Sequence, residues 1–488
     1  MNKDNQSENI ITAVPLPELP PSDEPVSNNP KLIDFNYRGL TDEERIRRAV
    51  KDMETIYASD EPPTMPKKVP RFVNAYLWNT PDFYKPAYSQ AGLPAAATLM
   101  DDVSFKHPNK LFYPAKLNAL VVGPSGVGKN GLSYIFNALL AYIMAESHEN
   151  MEREVEINEQ NNLLGSNAKK KAKPDDLVQR IVFPNTTTPA LAKQMKQNRG
   201  LPCFMEAKEI EDLYCFKNGA GGISPLVLLR EADDRDGSIK QRRVGEKSVT
   251  VDVPLFLNYC VSATPEAAHD FFKRDMLKGA LNRQEVCFIP DQPIGNEEPE
   301  YLPYDEHFNR RLQPFIENLK KARDHADDHG YIVCKQAIAL RKQLKSECAA
   351  YLHTTFDRTW DGLTHRGLTH ALLKACVLYI ANGCKWEPAI DAFIRWSFHY
   401  CMWSKLHVFG DKIREAEKKV QYSKPGKPNL LLQITGNTFT VSDAMTMRKN
   451  QGKDDSVKAT MNMIGVWLNR QWIRRLDDGR YEKLEYKR

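Results

Sequence analysis

The segment from Leu117 to Ile143 constrains the fold more than any other part of this chain. Leu117-Asn-Ala-Leu-Val-Val122 is a short β-rich run, and Gly123-Pro-Ser-Gly-Val-Gly-Lys129 follows it at once. From Gly131 to Ile143 apolar side chains recur at helical spacing (Leu132, Ile135, Leu139, Tyr142). Strand, glycine loop and helix in that order predict a loop delivered to a helix N-terminus at the edge of a sheet. Glycines let successive backbone N–H groups converge on an anion, and the helix end adds partial positive charge. Gly123, Pro124, Ser125, Gly126, Val127, Gly128, Lys129 and Asn130 are therefore the candidate cradle for the phosphates of a nucleotide, ATP first, with Lys129 reaching the β- and γ-phosphates.

One position departs from this pattern. A Ser or Thr after the lysine would hold Mg²⁺ by its hydroxyl, and here the residue is Asn130. An amide oxygen can ligate Mg²⁺ or hold a water that does, so Mg²⁺-ATP binding is expected, while hydrolysis would have to proceed without the usual hydroxyl ligand. A second carboxylate should end a neighbouring strand, holding Mg²⁺ and polarising the attacking water. Leu201-Pro-Cys-Phe-Met205 is the short apolar run that fits, followed by Glu206, the first candidate, and Glu209, the second. Upstream of it, Thr188-Pro189 reads as an N-cap with Pro at N1, opening a helix through Gln197 that Gly200 stops.

Pro254–Val261 reads as a buried strand ending in Ser262-Ala-Thr-Pro265. Thr264 can touch the γ-phosphate or the water, or it can cap the next helix. Between the two strands, Ser238–Val251 reads as a β-hairpin turning at Gly245-Glu246, with Lys240, Arg242, Arg243 and Lys247 on it. Its charge suits either a solvated edge or a grip on a phosphate backbone. Arg283, before the β-rich run Glu285–Ile289, can complete a neighbouring subunit's site in trans or pair with a core carboxylate.

In their joint order, the glycine loop, the Thr-Thr-Pro-Ala-Leu helix, Phe-x-Glu-x-x-Glu, the Arg-rich hairpin, Ser-Ala-Thr-Pro and Leu-x-Arg resemble a family of P-loop ATPases from phage, plasmid and mobile-element replication proteins. Members are often the helicase part of primase–helicases, and the resemblance covers roughly residues 93–420. That family resembles the hexameric superfamily 3 and AAA+ helicases. The resemblance implies a homo-oligomer, hexameric where it follows those helicases, whose hairpins (Arg242, Arg243, Lys247) touch single-stranded DNA in a central pore. It also implies Thr264 or Ser262 as a sensor and Arg283 as an arginine finger. No primase-like segment precedes the core in this sequence, so priming is expected from another protein or is not needed.

The length of 488 residues suggests about three domains. The expected order is a polar tail at 1–40, a helical segment at 41–95, and an α/β P-loop core with a parallel sheet at 96–295, charged insertion near 146–176. A connection at 296–330, a helical domain at 331–421 and a winged helix at 422–488 follow. Thr41 and Glu44 stand at capping-box spacing and open a helix through Ile56. Nine scattered cysteines form no CxxC pair and read as buried free thiols. No window approaches the ~18 apolar residues of a membrane span, nor does the N-terminus read as a signal peptide, so a cytoplasmic protein without membrane contact is expected.

The net charge of +5 is small, but it is unevenly placed. From Tyr422 to Arg488 about 13 Lys and Arg stand against about 7 Asp and Glu, a local excess of roughly +6. Phe439-Thr-Val-Ser442 is expected to cap a helix running from Asp443 to about Lys449, and Asp455-Ser456 a second with Val457, Met461, Ile464 and Leu468 on its inner face. Asp477-Asp478-Gly479 predicts a tight hairpin. Helix, turn, helix, hairpin is the winged-helix order. Lys458, Thr460, Asn462 and Arg470 would then face outward; Lys458, Arg470, Arg474 and Arg480 would meet phosphates of duplex DNA, and Asn462 a base edge. A winged helix can equally serve as a protein-contact module.

Overall fold

The computed structural model describes residues 33–164, 177–217, 222–241, 251–277, 279–292, 295, 302–355, 357–423, 430–470 and 472–484. The chain divides into two compact units, Met1–Ile413 and Arg414–Arg488.

At the centre of the first unit lies a five-stranded, all-parallel sheet. Its strands are β1 (Asn118–Val122), β2 (Ile181–Val182), β3 (Cys203–Ala207), β4 (Leu257–Ala263) and β5 (Val286–Phe288), in the spatial order β2-β3-β4-β1-β5. β1 and β4 are buried at every residue, as a parallel strand covered on both faces must be. The register aligns Val122 with Ala263 on one side and with Phe288 on the other. The turns after β1, β4 and β5 therefore open on one edge of the sheet, where ligands of open α/β sheets bind.

The helix Lys85–Thr98 is buried along almost its whole length and packs against β1, β4 and β5. The helix after the glycine loop is shorter than its apolar spacing suggests. A 3₁₀ turn, Lys129–Gly131, leads into Leu132–Leu139, and a break at Leu140 separates this from Ala141–Leu163. That last helix covers the first half of the expected charged insertion and buries only Ile143, Ser147 and Asn150. The cap of the helix Thr188–Gln197 falls one residue earlier than expected, at Thr187. Thr188 is buried instead, donating to Phe216 O (2.6 Å) and accepting from Ile223 N (3.1 Å).

The expected hairpin has a stem of Ser238–Gln241 paired antiparallel with Val251–Pro254. Its turn, with Arg242, Arg243 and Lys247, lies outside the described residues. β4 accordingly starts at Leu257 rather than Pro254, since the residues before it are committed to the stem.

Thr41 and Glu44 form the expected capping box on Asp42–Tyr57. Arg45 of that helix and Arg395 of Pro388–Ser423 both reach the buried Glu347 of Lys335–Thr355. This buried triad fastens the N-terminal helix to the helices of the 331–421 region. All nine cysteines are free, seven of them buried. No helix among the described residues is long and apolar enough to cross a membrane.

In the second unit, helices Val441–Asn450 and Val457–Asn469 precede a hairpin, Ile473–Arg475 with Tyr481–Lys483, to which Thr438–Phe439 adds a third strand. Gly479 turns the hairpin with φ +82°. Within the expected cap segment Thr440 is the cap, in a capping box with Asp443, so the helix starts at Val441 rather than Asp443. The inner face of the second helix differs from the expected one. Thr460, Ile464 and Trp467 are buried, whereas Val457 and Met461 are exposed. Trp467 anchors this face by packing edge-on to Phe439, which turns the helix away from the Val457–Met461 stripe.

Candidate functional site

The loop after β1 is shaped by two left-handed glycines, Gly126 (φ +79°) and Gly128 (φ +88°), a conformation that costs other residues strain. Gly128 is needed twice over, because a Cβ there would stand 2.5 Å from the Tyr84 hydroxyl oxygen. Tyr88, one turn further along the same helix, donates to Gly128 O (2.7 Å), and its ring stacks on Tyr84. Gln292, beyond β5, donates to the Tyr84 hydroxyl (3.3 Å). The loop is thus held from below by the helix Lys85–Thr98 and the residue before it. Tyr84 and Tyr88 were missed in the sequence, where an i, i+4 tyrosine pair forty residues upstream carries no sign of its target.

Lys129 curls back over the loop and donates to Gly123 O (2.7 Å) and Pro124 O (2.6 Å). Burial lowers its pKa from the ordinary lysine value. A half-desolvated ammonium resting on two carbonyl oxygens is a cation ready to exchange weak acceptors for anionic ones. Asn130 is exposed beside it.

The loop forms one wall of a cleft of about 590 Å³. Ser125 to Gly131 line it together with Tyr134, Lys208, Glu209, Glu211, Ser262, Ala263, Thr264 and Ala267. The structure therefore brings Lys129, Asn130, Glu209, Ser262 and Thr264 to one cavity, although they come from three different strand ends. Thr264 also caps the helix Pro265–Phe272, accepting from Ala267 N (3.3 Å). The cap is one of the two roles read from the sequence; it uses the hydroxyl as an acceptor and leaves its proton free to point elsewhere.

Glu206 does not line the cleft. The register sets it beside Cys260, three residues short of Ala263, or about 10 Å below the edge at the usual strand rise. Its side chain lies on the same strand face as Phe204, and both address the helix Leu132–Leu139. Phe204 packs on Phe136, and Glu206 accepts from Ser133 Oγ at 2.6 Å. Burial raises the Glu206 pKa against the opposing pull of that hydrogen bond and Lys208. Glu209, just past the strand end, is exposed in the cleft.

Arg283 is engaged within the chain, the second of the two roles read for it. Its guanidinium reaches Asp234 Oδ1 (3.0 Å) and Oδ2 (3.2 Å) and donates to Gly279 O (2.9 Å). Arg366 joins the same carboxylate at 2.7 Å. Next to it His370 is buried between Asp233 (2.6 Å) and Glu285 (2.8 Å), and Lys374 completes the row on Glu285 (2.5 Å).

In the second unit Lys458, Asn462 and Arg470 are exposed, and Arg470 lies over the Trp472 ring at 5.0 Å. Thr460, expected outside, is buried. Arg474 pairs with Glu482 across the hairpin, and Arg480 with Asp478 (2.7 Å).

The chemistry present is that of an anion site: positive-φ glycines, a lysine resting on two carbonyl oxygens and a cleft of about 590 Å³ beside them. Among the described residues no three His, Cys, Asp or Glu cluster as a metal cage. Asn130 and Glu209 are the side-chain oxygens in the cleft that could serve Mg²⁺, a cation that takes most of its ligands from phosphates and water. No protein-family model matches the chain, and no curated protein matches it.

Proposed function

We propose that this chain is an ATP-dependent, helicase-like motor on DNA, acting in the replication or mobilisation of a phage or mobile genetic element. The observation that supports it most is the Lys129 ammonium resting on Gly123 O and Pro124 O at the mouth of a cleft shared with Glu209 and Thr264. On this reading the loop N–H groups and Lys129 hold the β- and γ-phosphates, and Mg²⁺, when bound, neutralises charge on the transferred phosphoryl group. Glu209 orients and deprotonates the attacking water, and Thr264 senses the γ-phosphate. The hairpin stem stands directly before β4, where the resembling helicases carry their pore hairpin. The second unit has the winged-helix order of elements, with Lys458, Asn462 and Arg470 exposed for duplex DNA.

A second reading has specific support. Asn130 replaces the usual hydroxyl, and Glu206 spends a carboxylate oxygen on Ser133, so the protein can instead be an ATP-dependent switch, a loader or regulator that binds DNA without unwinding it. Strand separation decides between them. On a forked duplex with ATP and Mg²⁺ the motor reading predicts displaced strand that disappears with Lys129→Ala. DNA-dependent ATP turnover with no displaced strand under any polarity of fork would establish the switch.

A further inference from the structure

The cleft at the glycine loop combines two chemistries. Lys208, Glu209, Glu211, Ser262 and Thr264 line it with polar groups, and Tyr134 is the one aromatic residue among the described residues that line it. A nucleoside triphosphate combines the same two, charged at its γ-phosphate and aromatic at its base.

The direction of the loop helix decides which way the molecule lies. In a loop of this kind the outer phosphates sit over the glycine turn, here Gly126–Gly128, and the next one inward at the first helical turn, here Lys129–Gly131. The nucleoside then leaves along the helix, and Tyr134 is the residue one turn beyond Asn130 on the same face. Tyr134 is 52% exposed, unusual for so large an aromatic surface. Its ring lies nearly parallel to that of Tyr304, with centroids 5.1 Å apart and an interplanar angle of 17°.

Tyr304 is the fixed member of the pair. Its hydroxyl lies 3.1 Å from Thr80 Oγ1, and its ring packs edge-on against Phe308 at 4.7 Å. A rigid ring behind an exposed one makes a preorganised stacking platform, because little side-chain entropy remains to be lost on binding.

We propose that Tyr134, backed by Tyr304, is the platform on which the base of the bound nucleotide stacks. This rests on the reading of Gly123–Asn130 as a triphosphate cradle and adds the position and orientation of the nucleoside. Stacking on a π face tolerates any base, so the platform supplies affinity for a nucleotide over bare polyphosphate rather than a choice among bases.

The test is calorimetric titration of the full chain with Mg²⁺-ATP and, separately, with inorganic tripolyphosphate, for wild type, Tyr134→Ala, Tyr134→Leu, Tyr134→Phe and Lys129→Ala. The platform predicts ATP binding about tenfold weaker for Tyr134→Ala and Tyr134→Leu, as expected for one lost base–aromatic stack, with tripolyphosphate binding unchanged. Tyr134→Phe, which keeps the ring, retains wild-type affinity for ATP. Lys129→Ala weakens both ligands. Wild-type ATP affinity in Tyr134→Leu overturns the platform alone and leaves the phosphate cradle standing. Failure of the wild type to bind either ligand overturns the cradle reading, and the platform with it. Tyr134→Leu, which keeps apolar volume, guards against a misfolded alanine variant; equal losses for ATP and tripolyphosphate in it would mark the pair as a structural clamp and overturn the proposal.

Discussion

Lys129 shows how one residue's environment predicts its ligand. Partial burial disfavours its charge, and two carbonyl oxygens compensate only in part. A phosphate would restore a full counter-charge. The glutamates are separated by the same kind of local reasoning. Glu206 sits three residues below the strand edge with its carboxylate bonded to Ser133 and lines no part of the cleft, whereas Glu209 is exposed in it, so the water falls to Glu209 under the proposal. Glu209→Gln is therefore expected to lower ATP turnover by about 10²-fold or more, the usual worth of a general base. Glu206→Gln, which keeps a hydrogen-bond acceptor for Ser133, should leave most turnover intact. Steady-state turnover of the two variants checks this, and the reverse order of effects would return Glu206 to the catalytic role.

At the scale of elements, buried charge ties the core together. His370 on the helix Arg358–Ala381 meets Asp233, at the end of Pro225–Asp233, and Glu285, just before β5. Burial opposes its charge, but Asp233 and Glu285 outweigh burial and push its pKa up to about 9. Glu285, although buried, is held well below the usual range by Lys374 and His370. A histidine whose folded pKa exceeds its unfolded value of about 6.5 gives its full stabilisation below pH ~6.5 and loses it as pH rises through about 9. The shift amounts to about 3 kcal/mol at the usual conversion. Lys116, beside the same acidic residues but lowered to about 8, mainly by burial, acts in the opposite sense. The readout is therefore the difference between wild type and His370→Gln in denaturant unfolding from pH 6 to 10. That difference should be largest at pH 6 and shrink toward pH 10; a difference independent of pH would mean that His370 is not charged in the fold.

Much of this architecture was legible in the sequence. The β1–loop–helix unit, the capping box at Thr41, the hairpin stem and the order of elements after Phe439 each rest on local rules: glycine placement, cap spacing and alternation. What was not legible depends on contacts distant in sequence. Nothing near Tyr84 and Tyr88 announces a loop forty residues away. Local sequence ranks Glu206 above Glu209, because the register of β3 on β4, which sets Glu206 back from the cleft, is not written in it. The inner face of Val457–Asn469 was misread because Met461 and Val457 are as apolar as the residues that are buried. Trp467 meeting Phe439 decides the matter, and that contact is tertiary.

In the whole molecule, a parallel-sheet unit with a cleft at the glycine loop is followed by a C-terminal unit in which the chain's positive excess is concentrated. Net charge is otherwise close to balanced, so any DNA contact must be local, at the hairpin and at the C-terminal unit, and sensitive to salt. Coupling between ATP and DNA is the claim on which the proposal stands. It is tested most directly by ATP hydrolysis of wild type and Lys129→Ala, each with and without single-stranded DNA in Mg²⁺ buffer. The account predicts turnover in the wild type that single-stranded DNA stimulates and that Lys129→Ala abolishes. Turnover indifferent to DNA, or equal in the two proteins, would contradict it.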